Sequence, residues 1–74
     1  MDVSENIKRI RISKGVTKTF IAKNLGMSLQ GYRYLEGGEV RLDVERMKKI
    51  GTLLGVDSAI FLNDKLTDCV IKRQ

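Results

Sequence analysis

Residues 17–38, TKTFIAKNLGMSLQGYRYLEGG, carry the signals for two short helices joined by a tight turn. Thr17 and Ser28 are each placed to cap a helix, because a hydroxyl at this position accepts a hydrogen bond from a free backbone N–H. Gly26 lies between them and can take the positive φ that ends a helix sharply. Both segments repeat apolar residues at helical spacing, namely Phe20, Ile21 and Leu25 in the first and Tyr32 and Leu35 in the second. The stretch therefore predicts two helices packed across a glycine turn.

The outward positions of the second helix carry side chains that can contact DNA. This is the layout of a DNA-reading helix-turn-helix, in which the first helix braces the second in the major groove. Gln30 can pair with adenine, and Arg33 with guanine or a phosphate. Tyr34 can donate to a phosphate, Leu29 can touch a thymine methyl group, and the capped helix N-terminus at Ser28 favours a phosphate. The alternative for these side chains is an ordinary solvated surface or, for Leu29, a partial cover of the core.

Composition limits the classes of protein to which the chain can belong. Its 74 residues make one small domain, with one cysteine, Cys69, and no histidine. A disulfide within the chain is impossible and a zinc site lacks its usual ligands, so we expect no metal and no cofactor. We expect Cys69 to be a small buried or interface residue. The net charge of +5 suits a polyanionic partner such as nucleic acid, although such an excess can also serve solubility alone.

The sequence shows no feature that would take the chain to a membrane. No apolar run approaches the roughly 20 residues needed to span a bilayer. The N-terminal stretch MDVSENIKRI also lacks the apolar core of a signal peptide. We therefore expect a cytoplasmic protein without membrane association.

Three more helices are predicted up to residue 62. Asp2 caps the first, Asp43 caps the fourth, and Asp57 or Ser58 opens a short fifth one. The apolar stripes are Val3, Ile7 and Ile10 in the first and Val44, Met47, Ile50 and Leu54 in the fourth. The short fifth helix holds Ile60, Phe61 and Leu62. The fold class we expect is all-α, a compact five-helix domain over residues 1–62.

Residues 63–74 form a C-terminal extension whose structure the sequence leaves open. The segment can be a strand or a sixth helix, and Val70 and Ile71 beside Cys69 favour the strand slightly. A lone strand is unstable and implies pairing, most simply with a second copy of the chain. The segment also carries apolar side chains that an isolated small domain would struggle to cover. We therefore expect a dimer interface there, formed by Phe61, Leu62, Leu66, Val70 and Ile71.

From about Ile7 to Leu62 the chain resembles the phage repressor and Cro-type helix-turn-helix family, also called the xenobiotic-response-element family of bacterial and phage regulators. The resemblance covers roughly three-quarters of the chain. It rests on matches in register along the helices, at Arg11, Gly15, Thr17, Ala22, Gly26, Ser28, Glu36, Gly38 and the run Ile50, Leu53, Leu54, Gly55 and Val56. It implies a lambda-repressor-like domain that binds double-stranded DNA.

The resemblance also implies roles for charged residues outside the second helix of the motif. It places Lys18, Lys23 and Arg41 at the rim of the binding face as candidate phosphate contacts, with a solvated surface equally open for Lys23. It pairs Arg11 with Glu36 beneath the reading helix, where a partly buried carboxylate needs a cation. Other cations are expected to be solvated, namely Lys8, Arg9, Lys48 and Lys49.

Several residues depart from the family pattern. Lys18 stands where glutamine is common, and Tyr32 fills a core position usually taken by isoleucine or valine, so its hydroxyl needs a partner. Gly31 lies inside the reading helix, at a cost of about 1 kcal/mol relative to alanine. These departures put the details of base reading in question but leave the fold expectation unchanged.

The function we expect is a sequence-specific transcriptional regulator. It would be a small phage or mobile-element type repressor that binds a palindromic operator as a homodimer, with regulation through protein level, competition or a protein partner such as an anti-repressor. The alternative is a protein-interaction module, such as an antitoxin, anti-repressor or regulatory subunit, that keeps the fold without base reading. An enzyme is not expected, because histidine is missing and the acidic residues are spread among caps and surface positions.

Overall fold

The computed structural model describes residues 2–73, and every regular element within them is helical. Five α-helices and one 3-10 helix follow each other along the chain. They are α1 (Val3–Ser13), α2 (Lys18–Leu25), α3 (Leu29–Glu36), α4 (Val44–Leu54), the 3-10 helix (Ser58–Leu62) and α5 (Asp64–Lys72). The all-α expectation is confirmed.

Helix boundaries lie where the capping residues predict them. The side chains of Asp2, Thr17 and Ser28 accept hydrogen bonds from backbone N–H groups three residues ahead, at 2.8, 3.1 and 3.0 Å. These bonds satisfy donors that the first turn of a helix leaves free. Gly26 ends α2 with φ of 69° and Gly55 ends α4 with φ of 72°, a left-handed conformation that favours glycine. The turn between α2 and α3 is thus fixed by local chemistry.

The core lies between α1, α2, α3, α4 and the 3-10 helix. Its largest side chains are Tyr32 and Phe61, both completely buried. The other buried apolar residues are Ile7, Ile10, Ile21, Ala22, Leu35, Ile50 and Leu54. Burial of side chains of this size contributes about 1.5–3 kcal/mol each, so this cluster supplies the main driving force for folding.

Two apolar residues that the sequence assigns to inward stripes lie at the surface instead. Phe20 is 47% exposed, because the inward face of α2 is centred on Ile21 and Ala22. Val44 is 61% exposed. It is the first residue of α4 and lies beyond the edge of the core, whereas Ile50 and Leu54 pack inside it.

The C-terminal segment is helical, so the slight preference for a strand was wrong. Asn63 caps α5 by accepting a hydrogen bond from the Leu66 N–H at 3.0 Å. Thr67 is fully buried and donates to the carbonyl oxygen of Ile60 at 2.8 Å, while Val70 and Ile71 pack against the core. Burial of one helical face thus outweighs the strand propensity of the Val-Ile pair.

Polar contacts attach α5 and the 3-10 helix to α1. The buried Asn6 side chain donates from Nδ2 to the Phe61 carbonyl oxygen and to Asp64 Oδ1, both at 2.9 Å. The hydrogen bond from Asn6 lowers the pKa of the Asp64 carboxyl below its ordinary value. Arg9 forms an ion pair with Asp68, so the expectation that Arg9 is simply solvated was wrong. These contacts make α5 part of the same folded unit as α1.

Candidate nucleic-acid interface

Helix α3 presents one face to the core and the opposite face to solvent. Tyr32, Leu35 and Glu36 are buried. Gln30 and Arg33 are exposed, Tyr34 is 42% exposed and Leu29 is 37% exposed. The four residues expected to face DNA therefore share the solvent side of one eight-residue helix.

A buried polar cluster fixes the inward face of α3. Arg11 donates from Nε to Glu36 Oε2 and from Nη2 to Glu36 Oε1, both at 2.9 Å. The Tyr32 hydroxyl donates to the same Oε2 at 2.6 Å. Arg11 Nη1 also donates to the carbonyl oxygen of Val16 at 2.8 Å, in the turn before α2. The cluster therefore joins α1, the turn before α2 and the inward face of α3 at Tyr32 and Glu36.

The protonation states within this cluster follow from burial and from the shared carboxylate. Burial, together with the hydrogen bond to Glu36, raises the pKa of the Tyr32 hydroxyl well above its usual range. The hydrogen bond to Glu36 raises the pKa of the Arg11 guanidinium above its ordinary value, despite the opposing effect of burial. Tyr32 therefore remains a neutral donor, and Glu36 supplies the partner that the Tyr32 hydroxyl requires in a core position.

The expected phosphate contacts lie on separate elements around α3. Lys18 is the half-buried first residue of α2, and Arg41 is exposed in the loop before α4. Ser28 caps α3, so the N-terminus of that helix has its remaining N–H groups near solvent. Lys23 is exposed on α2. The structure thus leaves all these groups accessible to a ligand.

A cleft between α1, α2 and α3 brings further cations together. Its lining includes Lys18 and Arg33 beside Lys8, with the carboxylates of Asp2 and Glu5 on the α1 side. The sequence treats Lys8 only as solvated surface charge, because its proximity to Arg33 arises from the packing of α1 beside α3. Nothing in the spacing of these residues along the chain could have revealed that neighbourhood.

The five residues expected in a dimer interface differ in their accessibility. Phe61 is completely buried in the core of the single chain, so its assignment to an interface was wrong. Val70 and Ile71 are half-buried against the same core. Leu62 and Leu66 are 63% and 47% exposed. Cys69, expected to be covered, is also exposed on α5. The accessible apolar part of this segment is therefore Leu62 and Leu66.

The family comparison agrees with this geometry. A family model described as helix-turn-helix matches residues 7–61, which span α1 through almost all of the 3-10 helix. The chain belongs to the helix-turn-helix family. The resemblance to the phage repressor and Cro-type branch, expected from the sequence, is confirmed. This is a family of transcriptional regulators rather than of enzymes.

A curated relative comes from a prophage. Over 58 residues this chain is 34% identical to the SPbeta prophage-derived uncharacterized HTH-type transcriptional regulator YonR of Bacillus subtilis (strain 168). The alignment covers 78% of this chain and 54% of the relative, so the chain spans about half the length of that protein. No solved structure matches the chain significantly.

Residues 2–73 contain neither a membrane-spanning helix nor a metal-binding cluster of side chains. None of the helices there is both long enough and apolar enough to pass through a bilayer. The same residues hold no group of three or more His, Cys, Asp or Glu side chains arranged to bind a metal ion.

Proposed function

We propose that this protein is a sequence-specific DNA-binding transcriptional regulator of the repressor type, active as a homodimer on a palindromic operator. The observation that carries the proposal is the division of α3 into two faces. Its inner face is held by the Arg11–Glu36–Tyr32 cluster, while Gln30, Arg33 and Tyr34 project from the outer face. A rigidly held helix with free hydrogen-bonding groups suits insertion into a major groove.

Base reading is assigned to the central outward residues of α3. The Gln30 amide offers a donor and an acceptor, the combination that pairs with the N6 and N7 atoms of adenine. The Arg33 guanidinium can pair with the O6 and N7 atoms of guanine or bind a phosphate. Tyr34 lies four residues after Gln30 and therefore on the same helix face, where its hydroxyl can reach a phosphate.

Phosphate binding is assigned to groups that surround this face. Lys18 and Arg41 can neutralise phosphates but cannot report base identity, because they would contact the backbone. The capped N-terminus of α3 at Ser28 adds N–H groups that favour an anion. The net charge of +5 attracts the DNA polyanion from a distance. These contacts set orientation and affinity, while Gln30 and Arg33 set specificity.

Dimerisation is assigned to the exposed leucines near the C-terminal end of the described chain. One helix-turn-helix reads only a few base pairs, so two copies related by a two-fold axis are needed for a unique operator. Leu62 and Leu66 are large apolar side chains left exposed in the single chain, four residues apart on adjoining helices. A two-fold contact between copies would cover them and place two α3 helices on successive half-sites.

The experiment that tests this proposal is selection of bound duplexes from a randomised DNA pool. Recovery of a palindromic consensus, with binding that weakens as salt rises, supports a sequence-specific regulator. Recovery of unrelated sequences, or binding that does not depend on salt, would favour the protein-interaction module instead. A parallel selection with Gln30→Ala controls for bias in the DNA pool. The consensus recovered with this variant should lose its preference at one position of each half-site.

A further inference from the structure

Gly31 is the residue of the proposed reading helix that the fold does not explain. It lies in the first turn of α3, where glycine weakens a helix relative to alanine. Its φ is not positive, unlike that of Gly15, Gly26, Gly38 and Gly55, so its backbone conformation is open to any residue. Helical geometry therefore gives no reason for glycine here.

Packing does not require glycine at this position either. A Cβ added at Gly31 would lie 3.1 Å from Ser28 Oγ and 3.6 Å from Met27 Cε, which are both ends of side chains. Gly51 provides the contrast, because a Cβ there would lie 2.9 Å from the backbone carbonyl oxygen of Val56. Gly37 is a helix C-cap whose added Cβ would approach the Arg33 carbonyl oxygen at 3.1 Å. At Gly31 alanine would require the Ser28 hydroxyl, which caps α3, to move by a few tenths of an ångström.

The missing side chain leaves a notch at the margin of the exposed α3 face. Gly31 lies three residues before Tyr34, so the two are neighbours on the helix surface. The Ser28 hydroxyl oxygen beside the notch already accepts the Gly31 N–H at 3.0 Å. The other neighbour is the methyl group of Met27. The notch is therefore shallow, with the Ser28 hydroxyl and the Met27 methyl group at its border, and a small apolar group can contact it only from outside.

We propose that this notch receives the 5-methyl group of a thymine, which makes Gly31 a specificity-determining residue. The thymine methyl is the apolar group that a base pair presents in the major groove, and cytosine lacks it at the same position. The inference rests on the proposed DNA-binding function, because it needs α3 to lie in that groove. It adds a second kind of readout, by shape, to the hydrogen bonding of Gln30.

The test removes one methyl group from the DNA and, separately, adds one methyl group to the protein. Each thymine of the selected operator is replaced in turn by deoxyuridine, which lacks only the methyl, and equilibrium binding of the parent chain is measured. A single replacement at one position of a half-site should weaken binding about three- to fivefold, the effect of one buried methyl. Gly31→Ala fills the notch, so it should bind the thymine operator at least tenfold more weakly, as overpacking predicts. On the operator with deoxyuridine at the sensitive position, Gly31→Ala should bind almost as tightly as the parent binds that same operator.

Two variants serve as matched controls. Thr52→Ala places alanine at an exposed position of α4 and should bind both duplexes as the parent does. Leu29→Ala removes the other candidate for a thymine contact, and any loss should fall on a different thymine. Thermal melts identify any loss of fold in Gly31→Ala, because alanine favours the helix but its Cβ would lie 3.1 Å from Ser28 Oγ.

The affinities of the parent and Gly31→Ala for these operators decide whether Gly31 contacts a thymine methyl group. Equal affinity of Gly31→Ala and the parent for the thymine operator would overturn it, as would weakening of Gly31→Ala that no deoxyuridine operator restores. If Gly31→Ala fails to fold, the deoxyuridine series with the parent decides alone, and the absence of any sensitive thymine overturns the notch. A parent chain that selects no DNA sequence would instead refute the proposed function itself.

Discussion

The hydrogen bond from Tyr32 to Glu36 makes stability depend on alkaline pH in a way that one substitution can remove. In Tyr32→Phe the ring still fills the core, but the 2.6 Å bond to the Glu36 carboxylate is lost. A hydrogen bond to a charged group contributes about 1.5–3 kcal/mol, so the unfolding free energy at pH 7 should fall by about that amount. Glu36 keeps its two bonds from Arg11, which limits the loss.

The pH dependence follows from the raised pKa of Tyr32 in the folded chain. The unfolded tyrosine loses its proton near pH 10, whereas the folded one keeps it to higher pH. Between those two values the folded chain binds more protons, so the unfolding free energy falls by about 1.4 kcal/mol per pH unit. The parent should therefore lose stability above pH 10, and Tyr32→Phe should lack this component.

Urea denaturation at pH 7 and pH 11, followed by circular dichroism, measures both effects. Tyr34→Phe is the matched control, because it removes the same hydroxyl from an exposed ring. It should change stability at pH 7 by less than about 0.5 kcal/mol and keep the alkaline loss of the parent. If Tyr32→Phe showed the same stability at pH 7 and the same alkaline loss as the parent, the hydrogen bond from Tyr32 to Glu36 would have no energetic role.

Three further variants test other parts of the structure. Glu36→Ala leaves the Arg11 guanidinium without its buried partner and should lower stability by about 3–5 kcal/mol in a denaturation curve. Lys18→Ala should weaken binding to all duplexes and reduce the salt slope by about one per subunit, measured by fluorescence anisotropy. Leu66→Asp should convert a dimer to a monomer in sedimentation at micromolar concentration. A parent chain that sediments as a monomer would refute the proposed dimer interface.

Helix boundaries were predictable because their causes are local. The side-chain oxygen that caps each helix lies within three residues of the backbone N–H from which it accepts a hydrogen bond. Gly26 and Gly55 end their helices through their own φ angles. The register of the family pattern then assigned Arg11 and Glu36 to one pair. Two side chains separated by 25 residues could be paired only through that resemblance.

The C-terminal segment was not predictable because its structure depends on distant partners. Val70 and Ile71 favour a strand by propensity, but their burial against the core and the hydrogen bonds from Asn6 on α1 stabilise a helix. Phe61 likewise reaches the core only because α1 and α4 leave room for it, and no local signal distinguishes it from exposed Leu62. The partner of the Tyr32 hydroxyl follows from the same kind of tertiary packing.

Gln30→Ala shows whether the exposed face of α3 reads base sequence. Binding of parent and variant to the selected operator, and to operators changed at each base pair, is measured over a range of salt concentrations. The variant should lose about 1–3 kcal/mol on the operator and its preference at one base position, with the salt slope nearly unchanged. Equal affinity and equal selectivity of Gln30→Ala and the parent would mean that Gln30 does not read base sequence.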